Sequence, residues 1–160
     1  MAAIRAFRED DIDAISALTL AAIRQTALRA YSPAQVAAWS ARYSPARLRQ
    51  SAARGDVILV AADPAGRPAA YAVLEADGHL DMLYCDPLHA GQGLGLKLLT
   101  EAEVAARALG IIRLYAEASE LARPVFARAG YVLLGRSDFT IPAADGEVAI
   151  HNYAMEKRLI

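Results

Sequence analysis

The spacing of apolar side chains along the chain divides it into elements. Residues 3–7 (AIRAF) alternate apolar and polar, as a half-buried strand does. Asp10, Asp11 and Asp13 then place acids where a helix begins, which suits the positive end of its dipole. Ile12, Ile15, Leu18, Ala22 and Ile23 recur at helical spacing, and this helix is predicted to run to about Arg29. Ser32-Pro33 and Ser44-Pro45 each read as an N-cap followed by proline at the first helical position, opening PAQVAAWSAR and PARLRQSAARG. Gly55 is the expected stop of the latter.

Beyond Gly55 the period becomes extended. DVILVAAD, PAAYAVLE and HLDMLYCD read as three strands, joined by the turn PAGR and by Asp77-Gly78. A glycine loop follows. Leu94, Leu98, Leu99, Ala102, Ala105, Ala106 and Leu109 then form one helical face ended by Gly110. IIRLYAEA is a further strand and ELARPVFARAG a short helix. YVLLGRSDFT and EVAIHNYAMEKRL close the chain as a hairpin around Pro142 and Asp145-Gly146. The expected class is α+β, a mixed and mostly antiparallel central sheet flanked by helices.

Composition narrows the function. At 160 residues and 56% hydrophobic, the chain suits one domain, residues 1–160. A net charge of -1, with arginines scattered among acids, argues against a nucleic-acid partner. No apolar run reaches the roughly 18 to 20 residues that span a bilayer, and MAAIRAFRED lacks an apolar signal core. A cytoplasmic protein without a membrane partner is expected. The single cysteine, Cys85, excludes an internal disulfide, and His79, His89 and His151 lack metal-ligand spacing, so no metal is expected.

The loop DPLHAGQGLGLKLL carries the strongest chemistry. Glycines that end a strand and open a helix aim free backbone N–H groups and the helix dipole at one point, which suits phosphate oxygens. The Walker pattern fails because Gly95 is followed by Leu96, and Lys97 by Leu98. The dinucleotide pattern would need glycine at 96 or 98, and both are leucine. A plain tight turn remains the alternative to a ligand cradle.

These residues resemble the acetyl-CoA-binding core of the GCN5-related N-acetyltransferase (GNAT) superfamily, whose pattern is Gln or Arg, two residues, Gly, one residue, then Gly or Ala. Ala90, Gly91, Gln92, Gly93, Leu94 and Gly95 supply both glycines, with Ala90 at the Gln/Arg position. The resemblance extends from AIRAFRED to AMEKRL. HLDMLYCDP, YSPAQVAAW, YAEASELARPVFARAGY and HNYAMEKRL look like a branch of small bacterial members.

The resemblance implies the GNAT (acyl-CoA N-acyltransferase) fold and direct transfer of acetyl from acetyl-CoA to an amine of a small molecule, peptide or protein, by a monomer or homodimer. It implies that the strand before the loop splays from its neighbour, so that pantetheine pairs along Leu83, Tyr84 and Cys85, with a backbone N–H there facing the thioester carbonyl. The pyrophosphate falls on N–H groups from Gly91 through Gln92, Gly93, Leu94 and Gly95 to Leu96, with Lys97 or a nearby arginine assisting. His79 falls where histone-modifying relatives carry a glutamate; Asp81, two residues on, is expected on the same strand face, as base, orienting group or attractor of a cationic amine, with proton removal through ordered water as the alternative to any single obligatory residue. Ser119 takes the place of the family's asparagine, and Phe126 that of the tyrosine that protonates the thiolate. Ser119 with water, Tyr84 or Tyr153 are the substitutes, or the thiolate leaves with no protein acid, while Phe126 packs against pantetheine or core and Ser119 is also expected to contact the cofactor. Tyr31, Trp39 and Tyr43 are candidates for the acceptor wall. An acyl-cysteine at Cys85 is the minor alternative to inert packing. Phe126 and Ala90 also fit a non-catalytic acyl-CoA-binding or sensor module.

Overall fold

A computed structural model describes residues 2–159. The elements follow the order β1 (Ala3–Ala6), α1 (Ile12–Arg24), α2 (Pro33–Arg42), α3 (Pro45–Arg54), β2 (Val57–Ala62), β3 (Pro68–Leu74), β4 (Leu80–Cys85), α4 (Leu94–Ala108), β5 (Arg113–Ala118), α5 (Arg123–Arg128), β6 (Val132–Ala143) and β7 (Gly146–Arg158). The local signals explain most boundaries. Ser32 Oγ accepts the Gln35 N–H while Gln35 Oε1 accepts the Ser32 N–H, a reciprocal cap. Ser44 Oγ accepts the Ala46 N–H, and Gly55, at φ +84°, closes α3 in the left-handed region.

The first helix is shorter than expected. It ends at Arg24, and Thr26–Arg29 forms a separate 3-10 turn, tightening the chain before Tyr31. The closing hairpin is longer than expected: β6 continues through Pro142, which its edge position tolerates because the missing N–H need not serve a second neighbour.

The strands form two sheets, of order β1-β2-β3-β4 and β5-β7-β6, in place of one continuous sheet. All their pairings are antiparallel. Between β4 and β5 only the parallel bridge His79–Tyr115 is made, with the Tyr115 N–H donating to Gly78 O at 3.1 Å. Beyond it the strands diverge. Gly78 permits this join: its φ is +97°, and a Cβ there would collide with the Arg113 carbonyl oxygen.

Helices cover both faces. Ile12, Ile15 and Leu18 of α1 and Leu48 of α3 pack on Ile58, Val60, Tyr71, Val73 and Met82. On the other side Leu94 and Leu98 of α4 pack on Ala61, Ala70 and Ala72, and Leu99, Ala102 and Ala106 on Leu114, Ala116 and Met155. Val36 and Ala38 of α2 cover Ile141 and Ile150 of the second sheet. Among the described residues, no helix is long and apolar enough to cross a membrane.

Candidate functional site

The divergence of β4 from β5 creates two cavities that meet. The larger, of about 570 Å³, runs from the α4 N-terminus past Cys85 towards Arg29 of the 3-10 turn. The smaller, of about 200 Å³, lies between the C-terminal parts of the two sheets and α2. Trp39, Leu83, Tyr84, Ser119 and Ala122 line both and form the neck between them.

The glycine loop builds the outer end of the larger groove. Gly91 (φ +78°) and Gly93 (φ +74°) hold the chain in the left-handed region, and a Cβ on either would meet nothing within 4 Å. The bond from Lys97 N–H to Gly93 O is the first of α4, so the N–H groups of Gly91 through Leu96 precede the helical ladder. Ala90, Gly91, Gly93, Leu94, Gly95 and Leu96 line the groove; Gln92 is exposed and does not. Gly95 is small for a different reason, since a Cβ would stand 3.1 Å from Val125 Cγ1 of α5.

Lys97 does not line this groove, and its Nζ donates to the Ala2 carbonyl at 2.8 Å. Arg29 and Arg128 line the groove instead. His89, which sequence reasoning passed over, also lines it, and its Nδ1 is buried without a partner among the described residues. An orphaned ring nitrogen, open space beside two glycines and a free N–H cradle together suit an elongated anionic ligand carrying amides. Burial pushes the Cys85 thiol up to about 11, with Asp86 adding to the effect, so the sulfur is a neutral groove wall.

The residues named from sequence distribute unequally. Asp81 lines the smaller cavity, and its carboxylate receives Arg47 of α3 at 3.4 and 3.5 Å. His79 lies outside it. Its Nδ1 is 2.6 Å from Glu75 and its Nε2 2.7 Å from Glu117, and its ring stacks on Tyr115 at 4.9 Å, so both nitrogens are engaged in joining the sheets. The expectation that His79 and Asp81 share one strand face fails at a bulge: Leu74 pairs with Leu80 and Val73 with Met82, leaving Asp81 as the extra residue. Leu80 therefore packs towards α4, whereas Met82 packs towards α1.

Ser119 sits in the neck, where its Oγ accepts the Ala122 N–H at 3.1 Å. Phe126 is buried against Tyr131, ring centroids 5.0 Å apart, and contributes one wall of the smaller cavity. Tyr84 is in the neck, its hydroxyl 3.3 Å from Trp39 Nε1, and burial raises its pKa so that the phenol stays protonated. Tyr31 and Trp39 line the smaller cavity; Tyr43 instead pairs with Ser16 at 3.0 Å.

Sequence reasoning did not single out Glu120 or assign chemistry to His151. The His151 Nε2 is 2.6 Å from Glu120 Oε2, which also accepts the Tyr153 hydroxyl at 2.8 Å. These two hydrogen bonds, that from His151 first, hold the Glu120 carboxyl below its ordinary range. Tyr31 ties the segments together: its hydroxyl accepts the Glu120 N–H at 2.9 Å and donates to the His151 carbonyl at 3.1 Å. Among the described residues, no cluster of three or more His, Cys, Asp or Glu side chains could hold a metal ion.

Two sheets that part beside a glycine-opened helix define an acyltransferase frame, and the Acetyltransferase (GNAT) domain family matches residues 27–140. The chain belongs to that family and is an acetyltransferase. It is similar to an uncharacterized N-acetyltransferase, YafP, of Escherichia coli K12, 28% identical over 130 residues, which span 80% of this chain and 79% of that one. A GCN5-related N-acetyltransferase from Rhodopseudomonas palustris has a similar crystal structure, with TM-score 0.83, 31% identity, and coverage of 99% and 96% of the two chains. The fold is shared with a phosphinothricin acetyltransferase from Sinorhizobium meliloti crystallised with acetyl-CoA, at TM-score 0.76, 21% identity, and 99% and 88% coverage.

Proposed function

We propose that the protein transfers acetyl from acetyl-CoA directly to an amine of a small molecule or peptide. The observation that carries this reading is the pair of cavities joined at a five-residue neck, one suited to an anionic amide-bearing ligand and the other to an acceptor. Acetyl-CoA supplies an activated acyl group as a thioester. The N–H groups of Gly91 to Leu96 and the cations Arg29 and Arg128 hold its phosphates. The free edge of β4 at Leu83, Tyr84 and Cys85 pairs with its amides as an added strand would, and an N–H of this edge polarises the thioester carbonyl.

The acceptor side is supplied by Asp81, whose carboxylate attracts a cationic amine into the smaller cavity. His79 helps hold the strands at the closed end of the splay. Tyr84 takes the proton-donor role for which Phe126 has no group: it stands in the neck, protonated, between the two ligands. Ser119 lines the same neck and orients the chain there through its bond to Ala122.

Release of free thiol from acetyl-CoA in the presence of an amine panel tests the assignment. Saturable, amine-dependent release is expected, and Tyr84→Phe should lower kcat by about 10²-fold at unchanged acetyl-CoA affinity. Acetyl-CoA binding without release for any amine would overturn it.

A further inference from the structure

The acceptor cavity contains a proton-handling group outside the sequence-derived site. His151 lines it, with a side chain 15% exposed, and its Nε2 lies 2.6 Å from the Glu120 carboxylate. An ionised carboxylate only accepts hydrogen bonds, so this contact places the ring proton on Nε2 and leaves Nδ1 as the basic nitrogen. Nδ1 has no partner among the described residues and is not sealed within the protein. The ring is held on two sides and its backbone is tied as well. Tyr31 packs on it at 5.3 Å, Tyr153 meets it edge-on at 5.6 Å, and the Tyr31 hydroxyl bonds the His151 carbonyl. Tyr153 also bonds Glu120, so the carboxylate that orients the histidine is itself fixed by a second donor.

We propose that His151 removes the proton from the acceptor amine and that Glu120 is its positioning residue. The inference rests on the acetyl-transfer reading above. An ammonium entering beside Asp81 gives one proton to His151 Nδ1, directly or through one water. Its freed lone pair forms the C–N bond to the acetyl carbonyl carbon, the C–S bond breaks, and sulfur leaves with the electron pair. The second proton lost by nitrogen passes to that sulfur through the donor in the neck, and His151 returns the first to solvent. The net change is ammonium plus thioester to amide, thiol and one released proton.

The charged and titratable groups around the dyad are few. Glu120 and Tyr153 bond to it, and Tyr31 stacks on it. Arg123 of α5 lies over the Tyr153 ring at 4.4 Å. On β6, Asp138 stands opposite His151 and pairs with Arg136 at 2.9 Å. Asp81, Glu117 and the cation Arg42 share the cavity from β4, β5 and α2.

The test compares wild type, His151→Gln, Glu120→Gln and Glu120→Asp. Amines in the panel are glycine, tyramine, spermidine and an alanine-initiated peptide, and acetyl-CoA affinity is measured separately by calorimetry. His151→Gln should lower kcat roughly 10²-fold or more, with acetyl-CoA affinity within twofold of wild type, and should abolish the acidic limb of the kcat/KM profile. Glu120→Gln should lose the Nε2-protonated histidine signature in ¹⁵N-histidine spectra together with most of the rate, and Glu120→Asp should restore part of both. A His151→Gln enzyme within twofold of wild type, retaining the acidic limb, overturns the dyad while leaving the acetyl-transfer reading intact. A wild-type protein that binds acetyl-CoA but acetylates none of these amines overturns both.

Discussion

The Cys85 sulfur lies 3.5 Å from the carbonyl oxygen of Asp86 and 3.7 Å from that of His89, with no cation among its neighbours to favour a thiolate. With a pKa pushed up to about 11, on the order of one molecule in a thousand carries the thiolate at pH 8. Iodoacetamide should therefore label the native protein at least roughly 100-fold more slowly than free cysteine at that pH. Labelling at the free-cysteine rate would mean the environment has been misjudged. Ser119 and Phe126 both line the smaller cavity, and that they lie near the groove was legible at this scale from a short local pattern. The His151–Glu120 pair was not. Its members are 31 positions apart and meet only through the path of β7 beside the segment after β5, which no periodicity encodes.

At the scale of elements, the join between β4 and β5 depends on a few side chains around one turn. Glu75 and Glu117 grip His79, and the Tyr115 hydroxyl donates to Asp77 across the same junction. Burial alone would lower the His79 pKa, but its hydrogen bonds to Glu75 and Glu117, with their charges, outweigh it and the folded value lies above 6.5. Stability from this contact is thus complete below the unfolded value of 6.5 and is lost as pH rises through the raised folded value. Urea unfolding between about pH 6 and pH 9 should show this decline in wild type, and His79→Gln should flatten it. Gly78→Ala should destabilise the fold by roughly 2–4 kcal/mol, since it combines a left-handed φ with a clash against backbone that cannot swing aside. An equal midpoint and slope in denaturant would refute that account. Asp77-Gly78 was readable as a turn from two residues, whereas the bulge at Asp81 was hidden, because HLDMLY alternates well enough to pass for regular pairing.

For the whole molecule, element order, both serine caps and the glycine-opened helix followed from sequence, since each has a local cause. The division into two sheets had no such local cause, and only the family resemblance implied that the strand before the loop splays. It reflects which strand edges fail to meet in space, and the apolar content of β4 and β5 is the same whether they pair or part. If the groove takes acetyl-CoA, ligand binding stabilises the native state, by about 2.7 kcal/mol at a hundredfold excess over Kd. For a chain of this size that raises Tm by roughly 5–10 °C, measurable by calorimetry. Arg128→Ala should reduce the gain at a given ligand concentration while leaving the ligand-free Tm within about 1 °C, because the side chain is exposed.

Two sheets whose backbones pair at a single bridge also leave free backbone groups along the facing edges of β4 and β5. Such an edge accepts any extended chain of suitable shape, including a stray peptide or the strand of a neighbouring molecule. If that opening takes the pantetheine of acetyl-CoA, as proposed, it is also a point of entry for misassociation, and a bound cosubstrate would double as a stopper. Acetyl-CoA held there would then shield two strand edges as well as react.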